Sequence, residues 1–311
     1  MKKLFLVFTL VAAMATGFMG CQKTTSDSDT HTQQYTLGTT SFDIHNAMTI
    51  ENIKDSIGQV YNAIMLSQTE EVGYFGTKTK GVFIVFRGDF TSGIYNLAFD
   101  PERPLDHFPM YLVAECEVGN ILTFSLSDFL NQADAYAANS GSLTLAMDGN
   151  QFTITGTDIG VKKIKDQTQV STSSVDFEDT MLRFVLSDVV EGDFNGNNIV
   201  TAGRTTMNLG TMTDVAAFIT ENGNVIGFAS SSASGDDLPT GTYTYNDWTI
   251  FYLQDMTLTT LKFATNGEIS IAKESDIYTI DMTGLTINGI SGTPTLHYVG
   301  TLPKFEFPFK E

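Results

Sequence analysis

Along most of the chain, apolar residues either alternate with polar ones or gather in short runs, and Gly, Asn and Asp interrupt them. A period of two puts every second side chain on one face of a strand, so this pattern predicts antiparallel strands and hairpins. Gly81-Val82-Phe83-Ile84-Val85-Phe86, Ile94-Tyr95-Asn96-Leu97-Ala98-Phe99 and Thr249-Ile250-Phe251-Tyr252-Leu253 are examples. Asp148-Gly149, Asn222-Gly223 and Asn266-Gly267 sit between such runs and predict two-residue turns, in which both central residues take positive φ. The best candidate for a helix is the stretch 127–138, SDFLNQADAYAA, with Ser or Asp at its start as a cap; a short helix or none is expected there.

The strand pattern repeats. Residues 141–161 align without a gap on residues 267–287 at an offset of 126. The alignment pairs Leu143 with Ile269, Leu145 with Ile271, Ala146 with Ala272, Phe152 with Tyr278, Thr153 with Thr279, Ile154 with Ile280 and Val161 with Ile287. Upstream, Gly88-Asp89 and Gly93-Ile94-Tyr95 match Gly235-Asp236 and Gly241-Thr242-Tyr243, with one extra loop residue in the second copy. Downstream, Leu182-Arg183-Phe184-Val185 matches Leu296-His297-Tyr298-Val299. The order of the blocks is preserved, and turn signals recur every 8 to 12 residues or so, as in sandwiches and barrels. The expected fold is all-β: two tandem antiparallel β-sandwich or small β-barrel domains related by an internal repeat. They are placed at residues 42–188 and 197–304, joined through VVEGDFNGNN.

The first residues have a different character. Lys2 and Lys3 precede an apolar run from Leu4 to Met19 that stops at Gly20-Cys21, which marks residues 1–20 as a secretion signal. Phe18-Met19-Gly20-Cys21 resembles the cleavage box of bacterial lipoproteins, with Phe18 where most such boxes carry Leu. That resemblance implies that Cys21 becomes the mature N-terminus and carries acyl chains that attach the protein to a membrane. Residues 21–41 are polar and read as a tether containing His31. Asp27 and Asp29 resemble the short acidic cluster that follows the lipidated Cys in exported lipoproteins of the Bacteroidota. Lipidated Cys, tether and tandem β domains together are similar to surface lipoproteins of that group. The resemblance implies an outer-membrane protein held by its lipid anchor and exposed at the cell surface.

Charge narrows the choice of partners. Seventeen basic residues against 36 acidic ones give a net charge of −19, a field that repels phosphate backbones, so nucleic acid is excluded as a partner. The chain has two cysteines; with Cys21 lipidated, Cys116 is left alone and no intrachain disulfide is expected. In YLVAECEV the alternation makes Cys116 a small buried hydrophobe between glutamates.

Motifs that carry chemistry are scarce. His31, His45, His107 and His297 lie far apart, and neither a G-x-S-x-G elbow nor a phosphate-cradling glycine loop occurs. Residues 193–201, DFNGNNIVT, open like a calcium loop, but Arg204 stands where a bidentate acid is needed, and the expectation is an Asn-Gly turn. No catalytic residue, metal or cofactor is assigned. The remaining candidate is the aromatic stretch TGTYTYNDWTIFYL, where Trp248, Tyr243, Tyr245 and Tyr252 with Asn246 and Asp247 could form a glycan-binding platform, rings stacking on sugars and amide or carboxylate groups meeting hydroxyls. The competing expectation is that alternate members of this stretch are core. The expected function is a non-enzymatic surface binding or adhesion protein with a host protein as ligand, and the alternative is glycan capture through those aromatics.

Overall fold

The structure is a computed structural model that describes residues 31–54, 58–68, 78–100, 102–103, 106–117, 135–208, 212–230, 237–254 and 260–304. Among them there is no α-helix. They form two compact units that divide at residues 184/185. The first holds β1 (Gln34–Leu37), β2 (Thr40–Asp43), β3 (Asn46–Lys54), β4 (Val60–Ser67), β5 (Lys78–Arg87), β6 (Gly93–Asn96), β7 (Met110–Glu117), β8 (Tyr136–Ser140), β9 (Ser142–Asp148), β10 (Gln151–Lys163), β11 (Val170–Thr180) and β12 (Leu182–Val185). The second holds β13 (Val189–Phe194), β14 (Asn197–Asn208), β15 (Met212–Thr220), β16 (Val225–Ser230), β17 (Gly241–Thr244), β18 (Trp248–Leu253), β19 (Lys262–Glu274), β20 (Ile277–Ile287) and β21 (Leu296–Gly300).

The second unit is a closed barrel. Its sheet runs β19-β18-β16-β15-β14-β13-β21-β20, and β20 pairs again with β19 to complete a ring of eight, with β17 added to the outer part of β19. An eight-stranded ring has an interior just wide enough for side chains to fill. Phe218, Phe228, Ile250, Ile269, Ile280, Met282 and Tyr298 fill it. The first unit is the same ring drawn as a curled sheet, β3-β4-β5-β7-β8-β10-β11-β1-β2, with β12 against β3. Its seam closes through the chain itself. The Ile44 amide still donates to Gln33 O on the β1 side (2.8 Å), whereas the next amide, His45, donates to Ser67 O of β4 (2.8 Å).

The two rings share one register. Leu145 faces Ile154 in the β9–β10 hairpin and Ile271 faces Ile280 in β19–β20, and the whole ladder from Gln151↔Asp148 to Thr155↔Thr144 recurs 126 residues later. Tyr95 pairs with Leu143 as Tyr243 pairs with Ile269. Strands β8 and β9 together correspond to the single long strand β19, and the break between them falls at Gly141, the counterpart of Gly267. Both glycines hold positive φ, +102° and +145°. A Cβ at Gly141 would lie 3.0 Å from Ile159 Cα, and one at Gly267 2.5 Å from Leu285 Cδ2, so both conformation and close approach require glycine. Asn266-Gly267 is accordingly a bend inside β19, not the turn its dipeptide suggests.

Local chemistry explains the hairpin ends. Asn195 (φ 53°) and Gly196 (φ 83°) form the two-residue turn between β13 and β14, and Asp193 Oδ1 accepts the Gly196 amide at 3.1 Å. The segment VVEGDFNGNN is thus a hairpin of the second unit, not a connection between two domains. At the other end of the chain's first unit, residues 34–41 leave the expected tether: β1 pairs with β11 and β2 with β1, because Tyr35 is buried in the core and stacks on Phe42 at 5.0 Å. In the expected helix region, residues 127–134 lie outside the described residues, and Tyr136–Ser140 is strand β8.

One block of the repeat is corrected by the register. Ile154 faces Phe177 on β11 as Ile280 faces Tyr298 on β21. The counterpart of Leu296-His297-Tyr298-Val299 is therefore Val175-Asp176-Phe177-Glu178. Leu182–Val185 instead forms β12 beside β3.

Candidate functional site

The aromatic stretch forms a core stack. Trp248 opens β18 on the same parity as Ile250 and Tyr252, the face that points into the barrel, and it is 3% exposed. Its ring stacks on Tyr243 (centroids 4.0 Å apart, 11° between planes) and on Phe228 (5.1 Å, 28°). Tyr252 is buried and packs 5.8 Å from Phe194. Tyr243 and Tyr245 are half-buried against this core, and Asn246 and Asp247 are exposed at the turn. Asp247 Oδ2 accepts the Thr244 amide (2.9 Å) and hydroxyl (2.8 Å), so it shapes the turn. In the first copy Tyr95, the counterpart of Tyr243, instead meets Phe86 of β5 edge-on at 5.4 Å. A glycan platform with Trp248 as its exposed ring is not what the fold builds: the alternation that makes β18 a strand also turns this ring inward. Cys21 lies outside the described residues.

Two of the four histidines, His31 and His297, are engaged within the fold by their side chains. His31 Nδ1 lies 2.5 Å from Asp176 Oδ1 and its Nε2 2.8 Å from Glu178 Oε2, so the ring bridges two acids of β11. Asp176 Oδ2 also accepts the Thr32 amide (2.7 Å) and hydroxyl (2.8 Å). His31 is therefore clasped to the first unit and is not part of a free tether. Burial disfavours the ionised Asp176 carboxyl, but the hydrogen bonds from the Thr32 amide, His31 and the Thr32 hydroxyl outweigh it and hold the pKa below the usual aspartate value. In the second unit the register puts His297 in the place of Asp176, and its Nδ1 lies 2.6 Å from Asp281 Oδ1.

A third cluster was not foreseen. Arg204 on β14 pairs with Ala216, in the row that continues through Phe228 to Ile250, so its side chain is on the inner face of the barrel. The side chain is 9% exposed, and its Nη2 is 3.9 Å from Asp237 Oδ1. Asp237 Oδ1 is also 2.5 Å from Lys273 Nζ and accepts the Tyr278 hydroxyl at 2.9 Å. The Lys273 hydrogen bond, then that of Tyr278, lowers the Asp237 pKa; burial and then the Asp237 bond raise that of Tyr278. The repeat alignment carried a sign of this cluster, since it sets Met147 against Lys273 and Phe152 against Tyr278. Arg204 itself was visible only as the residue that spoiled a calcium loop.

Comparison with protein-family models, with curated proteins and with solved structures found no match.

Two outcomes are expected. Trp248→Ala should cost about 3–5 kcal/mol of stability, as for a large buried ring, measured by denaturant unfolding; a loss within experimental error would contradict its place in the core. The Asp176 clasp contributes stability above the unfolded aspartate pKa of about 3.9, and that contribution disappears as pH falls through the lower folded value. Limited proteolysis of the segment 31–33 across pH 2 to 6 should show release at the acid end, and Asp176→Asn should show release throughout. Equal protection in both proteins at every pH would contradict the clasp.

Proposed function

We propose that this protein is an outer-membrane lipoprotein, anchored through acyl chains on Cys21 and exposed at the cell surface, where its two β units act in non-enzymatic binding or adhesion. The observation that supports adhesion to a protein most is strand β6. Among the described strands it has one neighbour, β9, so its outer edge offers unpaired backbone groups, and Ile94 on it is 75% exposed. An edge strand of this kind accepts a further strand from a partner by main-chain hydrogen bonding. The same edge recurs at β17 in the second unit, so one anchor presents two such edges, and linked sites raise avidity. Charged groups such as His31, Arg183 and His297 are spent on partners within their own units, which favours a scaffold over a reaction centre. A protein ligand fits better than a glycan, because the ring on which a sugar would stack is buried.

Cells carrying wild type, Cys21→Ser or Ile94→Lys provide the test. Cys21→Ser should move the protein from the membrane to the soluble fraction. Ile94→Lys should stay on the membrane with an unchanged melting temperature but lower adherence to host-cell monolayers. Membrane association of Cys21→Ser that survives salt washing would overturn the anchor, and undiminished adherence of Ile94→Lys would overturn the edge.

A further inference from the structure

Among the described residues, the interior of the second barrel carries a charge that the first does not. The row Arg204↔Ala216↔Phe228↔Ile250 corresponds to Thr49↔Ile64↔Ile84↔Tyr111, so Thr49 occupies the place of Arg204. At the 126-residue offset, Met147 and Phe152 occupy those of Lys273 and Tyr278. The same ring therefore forms with Thr, Met and Phe at these three positions, and the ring itself does not require Arg, Lys and Tyr.

Arg204 is poorly satisfied. Its Nε and Nη1 are buried without a hydrogen-bond partner, and Nη2 reaches Asp237 only at 3.9 Å, beyond hydrogen-bond length. A guanidinium cannot shed its charge, so burying it without partners is costly. Asp237 does not meet the need, because its Oδ1 is held by Lys273 and Tyr278 and its side chain is 59% exposed. Two cations and a phenol thus converge on one carboxylate at the surface of a buried site.

We propose that Arg204, Lys273 and Tyr278 form a binding site for a small oxyanion, a carboxylate or phosphate group, and that Asp237 stands in for it when the site is empty. The oxyanion takes the place of the Asp237 carboxylate, offers one oxygen to Lys273 and Tyr278 and another to Arg204, and so supplies the buried guanidinium with an acceptor at hydrogen-bond length that Asp237 does not give it. Asp237, being largely exposed, swings outward into water. This site is independent of the adhesive edge, and either can fail without the other.

Titration calorimetry of the full chain with sodium phosphate and, separately, sodium acetate at constant ionic strength tests it. Wild type should bind at least one of the two saturably. A response to phosphate alone assigns a phosphate group, and a response to acetate alone a carboxylate. Asp237→Asn removes the competing charge and should bind about tenfold more tightly or better. Arg204→Thr, the residue of the first copy, should lose binding while keeping the wild-type circular dichroism spectrum, and Lys273→Met, also borrowed from the first copy, serves if that variant does not fold. A buried acid on the same face, Asp214, lies one step further along β15. If it neutralised Arg204 by itself, neither anion would bind wild type or Asp237→Asn, and that result overturns the proposal. Equal binding by wild type and by the folded variant lacking Arg204 or Lys273 overturns it too.

Discussion

A ring of eight strands encloses a space narrow enough for side chains to fill, so each strand must present its apolar set inward at a fixed register. A slip of one residue in the β9–β10 or β19–β20 hairpin would turn Ile154 or Ile280 out to solvent and bring Thr153 or Thr279 in. Both hairpins are held against that slip at the same points. Gly149 and Ser275 take positive φ at the turn, Gly141 and Gly267 at the bend, and Asp158 and Gly284 where the second strand bulges, each pair 126 residues apart. The closing of the rings, the inward rings of Trp248 and Phe86, and the interior place of Arg204 all depend on this register.

A scaffold set by backbone register leaves its side chains free to diverge. In the first copy Asp176 receives His31, and in the second its counterpart His297 meets Asp281. His297 and Asp281 join β21 to β20 across the sheet, whereas His31 precedes β1 and reaches β11 from the chain that leads into it. Inside, Thr49, Met147 and Phe152 give way to Arg204, Lys273 and Tyr278. The first set is a conventional core, while the second is a charged cluster with unspent donors. What distinguishes the copies therefore lies in these exchanged side chains, and function is to be sought there and at the strand edges, since a fold alone does not specify one.

The parts of this architecture legible in the sequence are the ungapped hairpin and, upstream of it, the strand carrying Tyr95 and Tyr243, which aligns with one extra loop residue. The hairpin alignment held because β8, β9 and β10 match β19 and β20 residue for residue. The downstream block does not align from the sequence because Val175 follows Val161 by 14 positions, whereas Leu296 follows its counterpart Ile287 by nine, and alternating apolar pairs match almost any neighbour. Residues 34–41 read as tether because Gln34, Thr36, Thr40 and Ser41 outnumber Tyr35 and Leu37, which together with Phe42 anchor β1 and β2. The burial of Trp248 was available from its parity with Ile250 and Tyr252. Composition, however, makes an aromatic strand look the same whether its rings face a core or a ligand. Arg204 could not be placed from sequence, since only closure of the ring decides which face of β14 is inside.

The shared register can be measured directly by cross-strand nuclear Overhauser effects in solution. The account predicts contacts between backbone protons of Leu145 and Ile154 and of Ile271 and Ile280, together with Ile154–Phe177 and Ile280–Tyr298. Contacts displaced by one or more residues in one copy relative to the other, or Ile280 found opposite a residue other than Ile271 and Tyr298, would contradict the claim that one barrel is built twice.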